Sequence, residues 1–174
     1  MTPTRRSFGD RLLGAVKLDA KVFEEVEHDA EAVGQAAGVV ALAGIAQGLG
    51  AIQTAGAGSI VAGLVASFSM WILATAIVWA VGVKIFEHTS SFDELLRTLG
   101  FAWAPQLLLV LLILPLGPLA ALVWTAVLVL VLAAFVIAAR QALDVTTSRA
   151  LLICALGVVP AVIFGTLFVG ATLL

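Results

Sequence analysis

Few residues of this chain have the types and spacing that catalysis or metal binding requires. Glu24, His28 and Glu31 recur at helical spacing and could meet a metal ion on one helix face. With only two histidines in 174 residues, a solvated helix face is the better interpretation. The single cysteine, Cys154, lies in an apolar run, which favours a packing role over a reactive thiol. No phosphate-binding loop, serine elbow or zinc-ligand spacing occurs. We therefore expect no enzyme, no cofactor and no metal.

The composition indicates a membrane protein. Hydrophobic residues make up 62% of the chain and charged residues 11%, with a mean hydropathy of +1.16. Soluble domains carry roughly 25% charged residues. Uncharged runs of about 18 residues or more are typical of membrane-spanning helices. We expect an all-α, polytopic integral membrane protein with the lipid bilayer as a partner and no nucleic acid. Residues 1–32 would form an N-terminal amphipathic segment, and residues 33–174 a five-helix transmembrane domain.

Charge distribution predicts the topology. The five apolar runs are 33–52, 59–83, 99–114, 119–139 and 151–174. All nine Lys and Arg residues precede the first run, or lie between the second and third or the fourth and fifth. Basic residues stay on the cytoplasmic side of a membrane. The N-terminus is therefore predicted to be cytoplasmic and the C-terminus external, which requires an odd number of spans. All eleven Asp and Glu residues fall on the same side.

The N-terminal segment has its own helical pattern. Apolar side chains such as Phe8, Leu12, Val22 and Val26 share one face, which fits a helix in the membrane interface equally well as a helix packed on the protein's own loops. Asp19 interrupts that face and is predicted to cap a second helix. Before the third span, residues 91 and 94 have the S-x-x-E spacing of a capping box.

Acidic residues of the second N-terminal helix precede the first span directly. We predict that this helix docks on the cytoplasmic loops through a carboxylate–arginine pair, with Arg140 as the favoured partner, while apolar residues supply most of the docking energy because an exposed pair contributes only about 0–1 kcal/mol. The candidate residues for cytoplasmic interaction are Glu24, Glu25, Glu27, Asp29, Arg97, Arg140 and Arg149.

Small residues at helical spacing predict close packing of helices. Hydrophobic drive between helices is weak in lipid, so backbones approach each other at small side chains. Contacts within one chain are favoured over a homo-oligomer, which stays an alternative. The candidate packing residues are Gly34, Gly38, Ala41, Gly44, Gly48, Gly157, Ala161 and Gly165. Gln47 and Gln106 should face protein or water, and they are the candidate lining of a solute path.

Three stretches of the chain resemble bacterial members of the Yip1 family of five-span membrane proteins. They are RLLGAVKLDAKVFEEVEHDAEAVGQAAGVV, SFDELLRTLGFAWAP and VWTAVLVLVLAAFVIAARQALDVTTSRALL. The resemblance includes Asp19 before a helix that ends in the V-E-x-D of residues 26–29, Pro105 in the third span and Trp124 at the start of the fourth. It implies a cytoplasmic N-terminus and an external C-terminus. The resemblance implies that eukaryotic relatives act in membrane traffic and bind Rab-type GTPases, but their D-L-Y-G-P-type motif is missing here, so GTPase binding is not carried over to this chain.

Two classes of function remain. The first is a non-enzymatic membrane scaffold or adaptor of the Yip1 type, in the bacterial cytoplasmic membrane, with a cytoplasmic protein partner. Its surfaces would be residues 1–32, 84–97 and 140–149. The alternative is a small oligomeric pore or transporter for an uncharged or weakly charged solute. No Asp, Glu, Lys, Arg or His lies between the span ends, which disfavours a proton-coupled transporter.

Overall fold

The structure is a computed structural model that describes residues 6–86 and 90–157, and every regular element in these ranges is helical. A short hairpin of two helices precedes the long helices, of which one continues as a π-helix and another is followed by a 3₁₀ helix. The elements are α1 (Phe8–Val16), α2 (Ala20–Glu27), α3 (Ala32–Gly50), α4 (Ile52–Ala55), α5 (Gly58–Trp79) with the π-helix Ala80–Ile85, α6 (Phe92–Phe101) with the 3₁₀ helix Ala104–Ile113, α7 (Leu119–Ala142) and α8 (Thr147–Gly157).

Four helical segments are long and apolar enough to cross a membrane, and they confirm the first four predicted spans. They are Ala32–Gly50, Gly58–Ile85, Phe92–Ile113 and Leu119–Ala142. The predicted fifth span begins within α8, which is described only as far as Gly157. The rest of that span, with the predicted packing residues Ala161 and Gly165, lies outside the described residues.

The third span is not a uniform α-helix, because Pro105 lies within it. The α-helix α6 ends at Phe101, and a 3₁₀ helix begins at Ala104 with Pro105 in its first turn. Proline has no N–H and its ring clashes with the carbonyl four residues earlier, so an α-helix cannot continue undisturbed through it. A 3₁₀ helix rises about 2.0 Å per residue, against about 1.5 Å in an α-helix. The change of helix type therefore lengthens this span.

Local caps fix the ends of α2 and α6 as the sequence predicted. The Asp19 carboxylate accepts a hydrogen bond from the Lys21 backbone N–H at 3.1 Å and starts α2. The turn before it contains Leu18 in the left-handed region at φ 61°. At α6, the Ser91 hydroxyl accepts from the Glu94 N–H at 3.2 Å, and the Glu94 carboxylate accepts from the Ser91 N–H at 2.9 Å. Both caps are confirmed.

The helix α6 is packed against α2, α3, α5 and α7. The hairpin of α1 and α2 lies against it, because α2 contacts both α6 and α7. The apolar side chains of α2, Val22, Phe23 and Val26, are fully buried. We call the end of the bundle formed by α1, α2, the first turns of α6 and the last turn of α7 the charged end.

Candidate functional site

A buried arginine at the charged end joins α1 to α2 and α3. The Arg11 side chain is only 1% exposed. Its guanidinium donates to Glu25 Oε1 from Nη2 at 2.7 Å and from Nε at 3.1 Å, and to Gln35 Oε1 from Nη1 at 2.9 Å. The same Nη1 lies 2.8 Å from Asp29 Oδ2. Removing a charge from water costs several kcal/mol unless hydrogen bonds replace the lost hydration. Here the partners come from both neighbouring helices.

Arg6 extends this cluster toward solvent. Its Nη1 lies 3.4 Å from Asp19 Oδ2, its Nε lies 3.6 Å from Glu25 Oε2, and its backbone N–H donates to Glu25 Oε1 at 3.1 Å. The Arg6 side chain is 34% exposed. Glu25 is therefore held by two arginines, of which the buried one makes the shorter contacts.

A second buried arginine, Arg97 on α6, caps the end of α2. Its Nε donates to the Val26 carbonyl at 3.1 Å and to the Glu27 carbonyl at 2.8 Å, and Nη2 also donates to the Glu27 carbonyl. The last carbonyls of a helix have no partner within the helix and carry a partial negative charge. Arg97 therefore ties α2 to α6 through the backbone.

This arrangement differs from the predicted docking pair. The pairing of α2 with Arg140 is wrong for Glu25, whose partners are Arg6 and Arg11. In the described ranges, no ion pair joins Glu24, Glu25 or Glu27 to Arg97, Arg140 or Arg149. Arg140 donates instead to its neighbour Gln141, and Arg149 is exposed on α8. Arg6 and Arg11 pair with Glu25 of α2, and Arg97 donates to the carbonyls at the end of α2.

The last turn of α2 contains two groups with shifted pKa values. Burial raises the pKa of Glu27, and the nearby carboxylates of Asp144 and Glu94 add to this, against the opposing charges of His28 and Arg97. The Glu24 backbone carbonyl, 2.8 Å from His28 Nδ1, raises the pKa of the exposed His28. In the part of the chain that the structure describes, no three His, Cys, Asp or Glu side chains are grouped as metal ligands would be.

The small residues of α3 differ in what they touch. A Cβ at Gly44 would lie 2.8 Å from the Gly63 carbonyl oxygen, and one at Gly48 would lie 2.4 Å from the Ile60 Cα. Both positions therefore touch the backbone of α5, where the Ser59 hydroxyl also donates to the Gly48 carbonyl at 2.8 Å. Gly34 has open space around it.

The other predicted packing positions make looser contacts. A Cβ at Gly38 would lie 3.8 Å from the Phe8 ring of α1, and one at Gly157 would lie 3.1 Å from the Ile77 side chain of α5. Ala41 is partly buried. Among the predicted packing positions in the described residues, only Gly44 and Gly48 would bring a Cβ within 3 Å of another helix's backbone.

A family model described as the Yip1 domain matches residues 20–169. The chain belongs to the Yip1 family. It is an integral membrane protein with the apolar spanning helices described above. No curated protein and no solved structure matches the chain. The matched Yip1 domain begins at the first residue of α2, so it contains the capped helix α2 and the arginine that holds its end.

The Yip1 domain also brings together the two glutamines of the predicted solute path. Gln106 Nε2 donates to Gln47 Oε1 at 2.8 Å, which joins the 3₁₀ helix to α3. Gln106 is 8% exposed, whereas the Gln47 residue is exposed. The sequence indicated that each needs a polar neighbour, and the structure pairs them with each other.

Arg11 is the residue that the sequence interpretation missed. It was counted among the basic residues that set topology, without a structural partner. Its helical position, next to Ala15 and close to Phe8, places it at the edge of the apolar face of α1. A charged residue on an apolar face is the signal that could have identified it, because such a residue needs an opposite charge or hydrogen-bond acceptors.

Proposed function

We propose that this Yip1-family protein is a non-enzymatic membrane scaffold with five spans, whose charged end faces the cytoplasm and binds a cytoplasmic protein. The observation that supports this most directly is the fixed position of the α1–α2 hairpin. Arg11 and Arg97 are 1% and 7% exposed, and they attach the hairpin to α3 and α6. A hairpin held in this way presents a constant surface rather than a mobile tail.

The outer face of the hairpin has the chemistry of a polar interface. Its exposed side chains are Lys17, Lys21, Glu24 and His28, while the apolar face of α2 is buried. A pre-organised surface loses less conformational entropy on binding than a disordered one. Charges of both signs favour a partner with a complementary mixed pattern, because electrostatic complementarity sets the specificity of an interface.

The orientation of the charged end is supported by the distribution of basic residues. All nine Lys and Arg residues would lie on one side of a five-span topology. The turn between α3 and α5 and the turn between the 3₁₀ helix and α7 have no charged residue. The positive-inside rule then places the charged end in the cytoplasm.

Site-specific photo-crosslinking in living cells tests the scaffold function. A photoreactive residue replaces Lys21 on α2, and the matched control carries it at Thr54, exposed in α4 toward the opposite end of α3. We expect an adduct of defined mass from position 21 and none of that mass from position 54. An adduct of twice the chain's mass would identify a second copy as the partner.

The arginine that holds the hairpin provides the second arm of this experiment. Arg11→Ala, combined with the photoreactive residue at position 21, should weaken the adduct if a fixed hairpin is what the partner recognises. Insertion into the membrane is checked in parallel by protease protection. Identical adducts from positions 21 and 54, or none from position 21 in an inserted chain, would contradict the proposal.

A further inference from the structure

The turn between α6 and the 3₁₀ helix, residues 102–103, which we call the bend, lies beside polar side chains in an otherwise apolar region. Residues 99–114 contain no Asp, Glu, Lys, Arg or His. Gln106, at the start of the 3₁₀ helix, is 8% exposed, and its Nε2 donates to Gln47. Its Oε1 is buried and has no hydrogen-bond partner among the described residues. The amide nitrogen of Gln106 therefore has a hydrogen-bond partner among the described residues, and its amide oxygen has none.

Trp103 places a second unsatisfied polar atom one turn earlier. Its Nε1 is buried and donates to no acceptor in the described part of the chain. The Gln106 N–H donates to the Trp103 carbonyl at 3.0 Å, which is a 3₁₀ hydrogen bond. Residues three apart in a 3₁₀ helix lie above one another on the same side. An indole donor and an amide acceptor therefore share one side of this turn.

Three helices, α1, α3 and α7, contact the 3₁₀ helix that begins at this turn. The Trp103 ring packs edge-on against Phe135 of α7, with a centroid distance of 5.7 Å, and Gln106 reaches Gln47 of α3. The 3₁₀ helix contacts both α3 and α7. The Trp103 ring thus lies against α7 and the Gln106 amide against α3. Buried polar groups in proteins are almost always hydrogen-bonded, and more so where lipid surrounds the helices.

We propose that this bend binds one neutral hydroxyl group, which accepts a hydrogen bond from Trp103 Nε1 and donates one to Gln106 Oε1. A hydroxyl is both donor and acceptor, as this pair requires. The opposite orientation of the Gln106 amide would also leave one polar atom, which a hydroxyl could still satisfy. An ion does not fit, because residues 99–114 and 32–50 offer no charge of either sign.

Water, a small polyol and a lipid hydroxyl share this chemistry. A site of this kind does not depend on the scaffold function, because it lies within the membrane-spanning part and involves no residue of the hairpin. It would make the bend a place where a polar molecule is held inside the bilayer, next to a helix whose type has changed. Breaks of this kind in spanning helices are tolerated where they are buried in protein or line a polar cavity.

Solid-state NMR of the full chain in liposomes tests the proposal. Indole N–H signals are assigned with Trp103→Phe and Trp71→Phe. The matched control is the Trp71 indole, which already donates to the Leu96 carbonyl at 2.8 Å. We expect a through-space cross-peak between the Trp103 indole proton and a hydroxyl proton, and none for Trp71.

The source of the hydroxyl follows from three sample compositions. A cross-peak at the water frequency in polyol-free liposomes identifies water. A cross-peak that appears only after glycerol is added identifies a small polyol, and one to lipid protons that survives both changes identifies a lipid hydroxyl. A Trp103 signal with no cross-peak to any hydroxyl proton, in samples that give a normal Trp71 signal, would overturn the proposal.

Two substitutions test whether Gln106 holds the same group. Gln106→Leu should remove the Trp103 cross-peak and shift the indole nitrogen frequency. Gln53→Leu is the control, because Gln53 donates to the Ile113 carbonyl at 2.5 Å and lies at the other end of the 3₁₀ helix. An unchanged cross-peak in Gln106→Leu would show that the hydroxyl is not shared between the two side chains. If Gln106→Leu fails to fold, the wild-type spectra still decide.

Discussion

Replacing Arg11 by alanine removes a buried guanidinium that joins α1 to α2 and α3. Breaking a buried ion pair by removing one partner costs about 3–5 kcal/mol. Glu25 is 27% exposed and keeps its contacts with Arg6, so we expect a value near the lower end, about 3 kcal/mol. Since about 1.4 kcal/mol corresponds to a factor of ten, the open state of the hairpin should become about 100-fold more populated.

Hydrogen exchange measured by mass spectrometry, on protein in lipid nanodiscs, reads this population directly. Amides in a segment that opens locally exchange in proportion to its open population. The amides of α1 in Arg11→Ala should therefore exchange about 100-fold faster than in the wild type, while those of α5 stay unchanged.

Arg6→Ala is the matched control, because it removes a cation that touches Asp19 and Glu25 from an exposed position. Its contacts are 3.4 and 3.6 Å long and its side chain is 34% exposed. Such surface pairs contribute about 0–1 kcal/mol, or at most about a fivefold change in exchange. Equal effects of the two substitutions on α1 would refute the argument that the buried arginine holds the hairpin.

Three further predictions concern helix packing and pH. Gly48→Ala should destabilise the fold by about 1–3 kcal/mol, because its Cβ would meet the Ile60 Cα at 2.4 Å. Gly34→Ala, with open space around it, should be neutral or stabilising. Thermal unfolding in detergent compares the two variants, and equal midpoints would contradict this. Folding raises the pKa of Glu27, so the stability that Glu27 contributes is present below its ordinary pKa of 4.5 and is lost as pH rises through the folded-state pKa. At pH 7, Glu27→Gln should therefore unfold at a higher temperature than the wild type. A lower unfolding midpoint would contradict this. The raised pKa of His28 contributes stability that is complete below its ordinary pKa of 6.5 and disappears at higher pH. The unfolding temperature of His28→Gln should therefore lose the part of its pH dependence between pH 6 and pH 8 that His28 supplies. An unchanged slope of unfolding temperature against pH would argue against this.

Features set by neighbouring residues could be predicted from the sequence. The cap at Asp19 and the capping box of Ser91 and Glu94 depend on side chains within three residues of the backbone groups that they bind. The spans depend on runs of apolar residues that are long enough for a bilayer. Neither feature requires knowledge of which helix lies beside which.

Features set by distant residues could not be predicted in the same way. The pairs Gly34–Gly38 and Gly44–Gly48 have the same spacing, yet only the second touches a backbone, because Gly63 of α5 lies opposite it. Glu25 pairs with Arg11 of α1 rather than with the loops, because the hairpin turn at Leu18 places α2 alongside α1. The 3₁₀ helix that begins at Ala104 likewise places Gln106 beside Gln47, which is distant from it in the sequence.

We propose that the charged end is a fixed cytoplasmic surface that a protein partner covers. The rate at which a membrane-impermeant maleimide labels Lys21→Cys in a Cys154→Ala background tests this most directly, with Thr54→Cys as the reference. We predict that position 21 is labelled only after the membrane is permeabilised, and more slowly in native membranes than in purified protein. Position 54 should be labelled in intact cells, at the same rate in both preparations. Labelling of position 21 in intact cells, or an equal rate in native and purified preparations, would contradict the account.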